Sequence, residues 1–143
     1  MNSDNIQYIC LKLDDDSKSR LREIVLEIFG RESCVRLFCD HLTLAYGEQV
    51  DYFDMNLLGL EFDLSSDEIA YDDKCAALVV DSEQVSELGV NNEHPHITLA
   101  TFDYATKPVY SNQLLSKEHE TVSLPDGFEP VFHGTVVAVE RKR

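Results

Sequence analysis

The spacing of apolar positions along the chain changes between a period of two and a period of about three and a half, and each change marks an element. Residues 8–13 (Tyr8-Ile9-Cys10-Leu11-Lys12-Leu13) are rich in β-favouring side chains and read as a first strand. Asp14-Asp15-Asp16-Ser17 then supplies turn and capping residues. Beyond it Leu21, Ile24, Val25, Ile28 and Phe29 recur at three- and four-residue spacing, which predicts a helix over 17–29, capped by Asp16 or Ser17 and ended by Gly30. Residues 35–46 read as the second strand, stopped by Gly47. Residues 57–64 and 75–81 read as a hairpin-like pair around the acidic loop 65–74. Residues 81–88 fit either a short helix or an irregular bridge. Residues 96–102 form another strand, 111–116 behind Pro108 one helical turn, and 120–124 a weak strand. Pro125-Asp126-Gly127 is a turn before a last strand over 131–140, and the basic end Arg141-Lys142-Arg143 reads as frayed.

One firm helix with six or seven strands predicts an α+β fold with mostly antiparallel pairing. The 143 residues suffice for a single domain, 1–143, with a real core, and no linker or low-complexity stretch divides them. No segment approaches the roughly 18 apolar residues of a membrane span. The first residues, Met1-Asn2-Ser3-Asp4-Asn5, lack the basic and apolar regions of a signal peptide. Cys10, Cys34, Cys39 and Cys75 show no Cys-x-x-Cys spacing and read as reduced thiols, which points to a cytosolic or host-cytosolic setting.

Charge narrows the partners. The formal net charge is −15, and residues 51–93 hold twelve carboxylates against one base, Lys74. Such a chain repels a nucleic-acid backbone at long range, so a protein that tracks along duplex DNA or RNA is disfavoured. A small nucleotide, a short oligonucleotide or an RNA end held by local donors remains compatible.

Candidate chemistry comes from a five-residue pattern that occurs twice: His41-Leu42-Thr43-Leu44-Ala45 and His96-Ile97-Thr98-Leu99-Ala100. On a strand, residues i and i+2 share a face, so His41 projects with Thr43 and His96 with Thr98, while Leu42, Leu44, Ile97 and Leu99 point the other way. If the two strands lie side by side, two imidazoles able to exchange protons near neutral pH meet two hydroxyl donors. That set suits acid–base catalysis on a phosphate ester.

The two His-x-Thr segments, each followed by Leu, resemble the paired signatures of the 2H phosphoesterase superfamily. Its members include LigT-type RNA 2′,3′-cyclic phosphodiesterases, the cyclic phosphodiesterase parts of tRNA ligases, viral 2′,5′-oligoadenylate phosphodiesterases and phage enzymes that cleave cyclic oligonucleotides. The resemblance implies a compact bilobal α+β fold, with two mostly antiparallel sheets flanking a central groove and one main N-terminal helix. It implies that His41 and His96 act as general base and general acid, that Thr43 and Thr98 bind phosphate oxygens, and that no metal or other cofactor takes part. Residues 82–93 leave room for only a short helix before the second motif, so the chain looks like a compact variant.

Other side chains are weighed against this set. His94 reads as a rim residue, and His119 and His133, which lack a following Thr at i+2, as surface or packing residues. A zinc site from His41, His94 and His96 has no supporting ligand spacing. A base would need an aromatic platform, for which Phe102, Tyr46 and Tyr110 are candidates, with Phe102 first because it shares strand parity with His96 and Thr98. Tyr104 lies close by, and Tyr8 could also reach the groove. Lys107, in a Pro-containing loop, is a candidate phosphate contact. The expected substrate is a 2′,3′-cyclic phosphate, or a 2′,5′-linked or cyclic oligonucleotide, acted on by a monomer away from membranes. The alternatives are a silent nucleotide-binding module, an acidic nucleic-acid mimic, and ligation of RNA ends by the same imidazoles.

Overall fold

The computed structural model describes residues 5–89 and 94–141. Its strands are β1 (Ile6–Leu13), β2 (Arg36–Leu37), β3 (His41–Tyr46), β4 (Glu61–Ser65), β5 (Glu68–Tyr71), β6 (Cys75–Val79), β7 (His96–Thr101), β8 (Glu120–Ser123) and β9 (Val131–Glu140), and its helices are α1 (Asp15–Phe29) and α2 (Tyr110–Leu115). Short 3₁₀ turns cover Gly47–Tyr52, Met55–Leu57 and Ser86–Leu88. No helix among the described residues is long and apolar enough to cross a membrane. The basic end expected to fray includes Lys142 and Arg143, which lie outside the described residues.

All strand pairs are antiparallel, in the order β4-β9-β1-β3-β7-β6-β5-β8, with β2 also against β7. The architecture is mixed, with helices few and the sheet dominant. Two separate sheets were expected; the strands instead form one continuous path, in which β3 and β7 meet through a single register pair, Leu42 with Ile97. Along this path four strands lie on each side of the seam, with β2 as a fifth on the β7 side. The second strand does not run unbroken over 35–46. Cys39 adopts φ 55°, where an L side chain is strained, and the chain swings there from β7 towards β1. Phe38 and Cys39 donate to Leu99 O and Thr98 O, and the Leu13 amide then takes the Asp40 carbonyl at 3.0 Å.

The hairpin expected of 57–64 with 75–81 does not form. β5 lies inside the supposed acidic loop and pairs β6, while β4 crosses to the far edge beside β9. The four residues of β5 are hidden between acids, yet Ile69 and Ala70 are fully buried. The helix begins earlier than expected. Asp14, not Asp16 or Ser17, is the cap, its carboxylate accepting from the Ser17 amide at 2.8 Å. Gly30, at φ 84°, ends the helix and returns its amide to the Leu26 carbonyl.

Leu21, Ile24 and Val25 of α1 join the main core with Ile9 and Leu11 of β1, Leu42 and Leu44 of β3, and Ile97 and Leu99 of β7, so α1 closes one face of the sheet across the seam. On the other face a second cluster packs Leu114 and Leu115 of α2 against Ala70, Cys75 and Ala77. The motif side chains His41, Thr43, His96 and Thr98 project to this second face.

Both copies of the five-residue pattern carry the same irregularity. In β3, Ala45 pairs Ile9 and Thr43 pairs Cys10, so Leu44 is the extra residue. In β7, Ala100 pairs Ala76 and Thr98 pairs Ala77, so Leu99 is the extra residue. Each bulge sends a Leu and the following Ala together into the main core. It also reverses parity beyond it. Phe102, expected beside His96 and Thr98, therefore lies on the α1 face, its ring 5.2 Å from that of Phe29.

Candidate active site

The seam places the two motifs side by side. His41, Thr43, His96 and Thr98 are all half-buried on the face opposite α1. The charge of His41 is one of the influences on the ionisation of His96.

The two histidines are held differently. His96 Nδ1 lies 2.7 Å from the His94 carbonyl, so Nδ1 carries the proton and Nε2 keeps its lone pair. Burial lowers the His96 pKa below its ordinary 6.5; the hydrogen bond to the His94 carbonyl opposes this, and the charges of His41 and His94 reinforce it. His41 is flanked instead by a carboxylate: its Nδ1 donates to Asp40 Oδ2 at 3.3 Å, leaving Nε2 outward. Asp40 also holds Lys18 Nζ at 2.9 Å. Burial pushes the Asp40 carboxyl up, but hydrogen bonds from Lys18 and His41 prevail and set it below the usual range. Asp40 can therefore carry the counter-charge of an imidazolium at His41.

The threonines differ too. Thr98 Oγ1 lies 2.9 Å from Ser111 Oγ and donates weakly to Pro108 O at 3.4 Å. Thr43 lies opposite Cys10, whose buried thiol is pushed up to about 12 and stays protonated.

An aromatic stack runs from His41. The Tyr8 ring lies 5.4 Å from the imidazole at 25°, and the Tyr46 ring 6.3 Å from Tyr8 at 27°. The bulge in β3 brings Tyr46 back to the motif face, where it is 59% exposed and forms the open end of the stack. Lys12, exposed, pairs His41 in register. Sequence reasoning did not single out Lys12 or Asp40, and only the strand register reveals their place.

The other predicted contacts lie elsewhere. Tyr110 is tied into the support of α2: its hydroxyl donates to Asp72 Oδ2 and accepts from Lys117 Nζ, each at 2.5 Å. Lys74 and Lys117 also sit 5.4 and 5.1 Å from its ring centre. Lys107 is exposed in the loop before α2, and Tyr104 is 78% exposed beyond β7. His119 lies between α2 and β8 with Nδ1 near the Leu114 and Lys117 carbonyls, and His133 pairs Asp63 at 2.5 Å. A depression of about 190 Å³ bounded by Val79, His94, Pro95 and Leu115 adjoins His96. A cleft of about 340 Å³ between Phe29, Tyr71 and Phe102 opens on the α1 side. Neither contains a motif residue, which lie on an open face. Among the described residues no three His, Cys, Asp or Glu side chains are grouped to hold a metal ion.

No curated protein matches the chain. Among solved structures, a fungal RNA kinase superposes with a TM-score of 0.56 at 17% identity, covering 95% of this chain and 44% of its own. The chain thus spans less than half the length of that structure, and the likeness is one of fold. A family model extends from residue 39 to residue 137, taking in both His-x-Thr segments and the strands that present them. Since that match spans more than half of the 143 residues, the chain belongs to the family of the fungal tRNA ligase phosphodiesterase domain.

Proposed function

We propose that this chain is a 2H-type phosphodiesterase that processes RNA ends or small oligonucleotides, with His96 as general base, His41 as general acid and Thr43 and Thr98 as phosphate ligands. The observation that carries the reading is the meeting of two His-Thr pairs on one face of the seam. Family membership and the RNA kinase fold support a substrate ending in RNA chemistry. The preferred substrates are a 2′,3′-cyclic phosphate, or a 2′,5′-linked or cyclic oligonucleotide.

His96 suits the base because burial keeps it neutral and its Nδ1–H is spent on the His94 carbonyl. Its Nε2 takes a proton from water as the water oxygen attacks phosphorus. The bond from phosphorus to the ribose oxygen breaks, and His41, as imidazolium beside Asp40, delivers a proton to that oxygen. Each transfer is worth about 10²–10⁴ in rate. The threonine hydroxyls donate to the phosphoryl oxygens as charge builds on them. In this reading the substrate phosphate sits over the seam, and the base stacks on Tyr46 at the open end of the Tyr8–Tyr46 stack.

The test is turnover, with EDTA present, of nucleoside 2′,3′-cyclic monophosphates, 2′,5′- and 3′,5′-oligoadenylates and cyclic di- and trinucleotides. Wild type should turn over one class, and His41→Ala and His96→Ala should each lose about 10²-fold or more. No turnover by folded wild type, or activity surviving both substitutions, would overturn the reading.

A further inference from the structure

The two halves differ in what lies against the motif face. Beside β3 the stack of Tyr8 and Tyr46 is open. Beside β7 that place is taken by α2, which brings one hydroxyl, Ser111, into the sheet. Ser111 is fully buried, with its Oγ 2.9 Å from Thr98 Oγ1 and 3.4 Å from Cys75 Sγ. Cys75 is itself fully buried, on the strand that pairs β7.

From this geometry we infer that Ser111 is a positioning residue, which accepts from the Cys75 thiol, donates to Thr98 and so turns the Thr98 hydroxyl proton outward to the substrate phosphate. The inference rests on the phosphodiesterase reading of the same face. Proton accounting carries it. Thr98 and Ser111 each own one hydroxyl hydrogen. If Thr98 donates to Ser111, it has nothing to offer an anion. Its other acceptor, Pro108 O at 3.4 Å, is long enough to be given up. An incoming phosphate therefore draws the Thr98 hydrogen outward, and the vacated lone pair is filled by Ser111, whose own lone pair takes the thiol hydrogen from its longer contact with the Ala76 carbonyl at 3.7 Å. Burial raises the Cys75 pKa above its ordinary value, so the thiol keeps that hydrogen. Such a chain of donors polarises in one direction and strengthens the outermost bond. The helix is fixed to do this: Tyr110, next to Ser111, is tied to Asp72 and Lys117.

The experiment compares Ser111→Ala, Thr98→Val and the double variant with wild type on the substrate the panel identifies, with thermal melts to establish folding. Ser111→Ala should lose about tenfold in kcat/KM when Thr98 is present and nothing further when Thr98 is already Val. Ser111→Cys, which keeps a weak donor, should recover part of the loss. Losses that multiply in the double variant would assign Ser111 to packing alone and overturn the inference. If wild type turns over nothing, the activity reading fails separately. The same four proteins are then titrated with inorganic phosphate while the residue-98 methyl signals are followed by NMR. Weaker binding in Ser111→Ala than in wild type, abolished as a difference on the Thr98→Val background, supports the relay. Equal affinities in wild type and Ser111→Ala overturn it. If Ser111→Ala does not fold, Ser111→Cys against Thr98→Val gives the same cycle.

Discussion

His41 and His96 come from the same five-residue pattern yet are given opposite surroundings, one a carboxylate and the other a carbonyl in a drier place. Their pairing with Thr43 and Thr98 is a property of strand geometry and is visible in the chain. Their partners are not, because Asp40 acts through a kink at Cys39 and Ser111 arrives from a helix beyond the strand. The lowered pKa of His96 has two consequences. The unfolded chain, with its histidine at 6.5, binds a proton more readily than the folded one, so this residue withdraws stability as pH falls from 6.5 through its folded value. With His96 as base, the acid limb of kcat/KM should have its midpoint below 6.5, and a pH–rate profile with the midpoint above it would reverse the assignment of base and acid. At the open end of the stack, Tyr46→Ala should raise KM about tenfold, and more than it lowers kcat, since a base loses its stacking face. Steady-state kinetics on the same substrate would show this.

At the scale of elements, the helix over the first half and the strands carrying the motifs were legible because their periodicity is local. The partner of β4 was not. Sequence order suggests a hairpin with β6, but Ile69 and Ala70 fill that place and leave β4 to β9, the last strand. The bulges were equally hidden, since an extra residue exists only relative to a partner strand; that is why Phe102 and Tyr46 each project to the face opposite to that expected from simple alternation. Close strand contact leaves its own prediction. A Cβ at Gly134 would stand 2.8 Å from the Lys12 carbonyl oxygen and 2.9 Å from Leu11 Cγ. The carbonyl is backbone and cannot give way cheaply, so Gly134→Ala should cost about 1–3 kcal/mol in urea unfolding.

For the whole molecule, the net charge of −15 sets how an anionic ligand approaches. Glu61 and Asp63 lie on β4, Glu68 on β5, and Asp67, Asp72 and Asp73 in the flanking loops, so an approaching anion meets long-range repulsion. Added salt screens that repulsion, with a Debye length of about 10 Å at 0.1 M. KM for a small nucleotide should therefore fall as sodium chloride rises from low to moderate concentration. A KM that climbs steeply with salt would instead indicate local cations dominating attraction, as in proteins that neutralise several phosphates.

The paired bulges make the fourth and fifth letters of each pentapeptide as necessary as the first and third. His and Thr supply the reactive groups, but Leu and Ala permit two successive side chains to sink into one core, the second in a space that admits a methyl. Two letters describe a chemistry that many unrelated strands can spell by accident. Four describe a chemistry together with the backbone that aims it, and a chain that spells all four twice has far fewer ways to be read as coincidence.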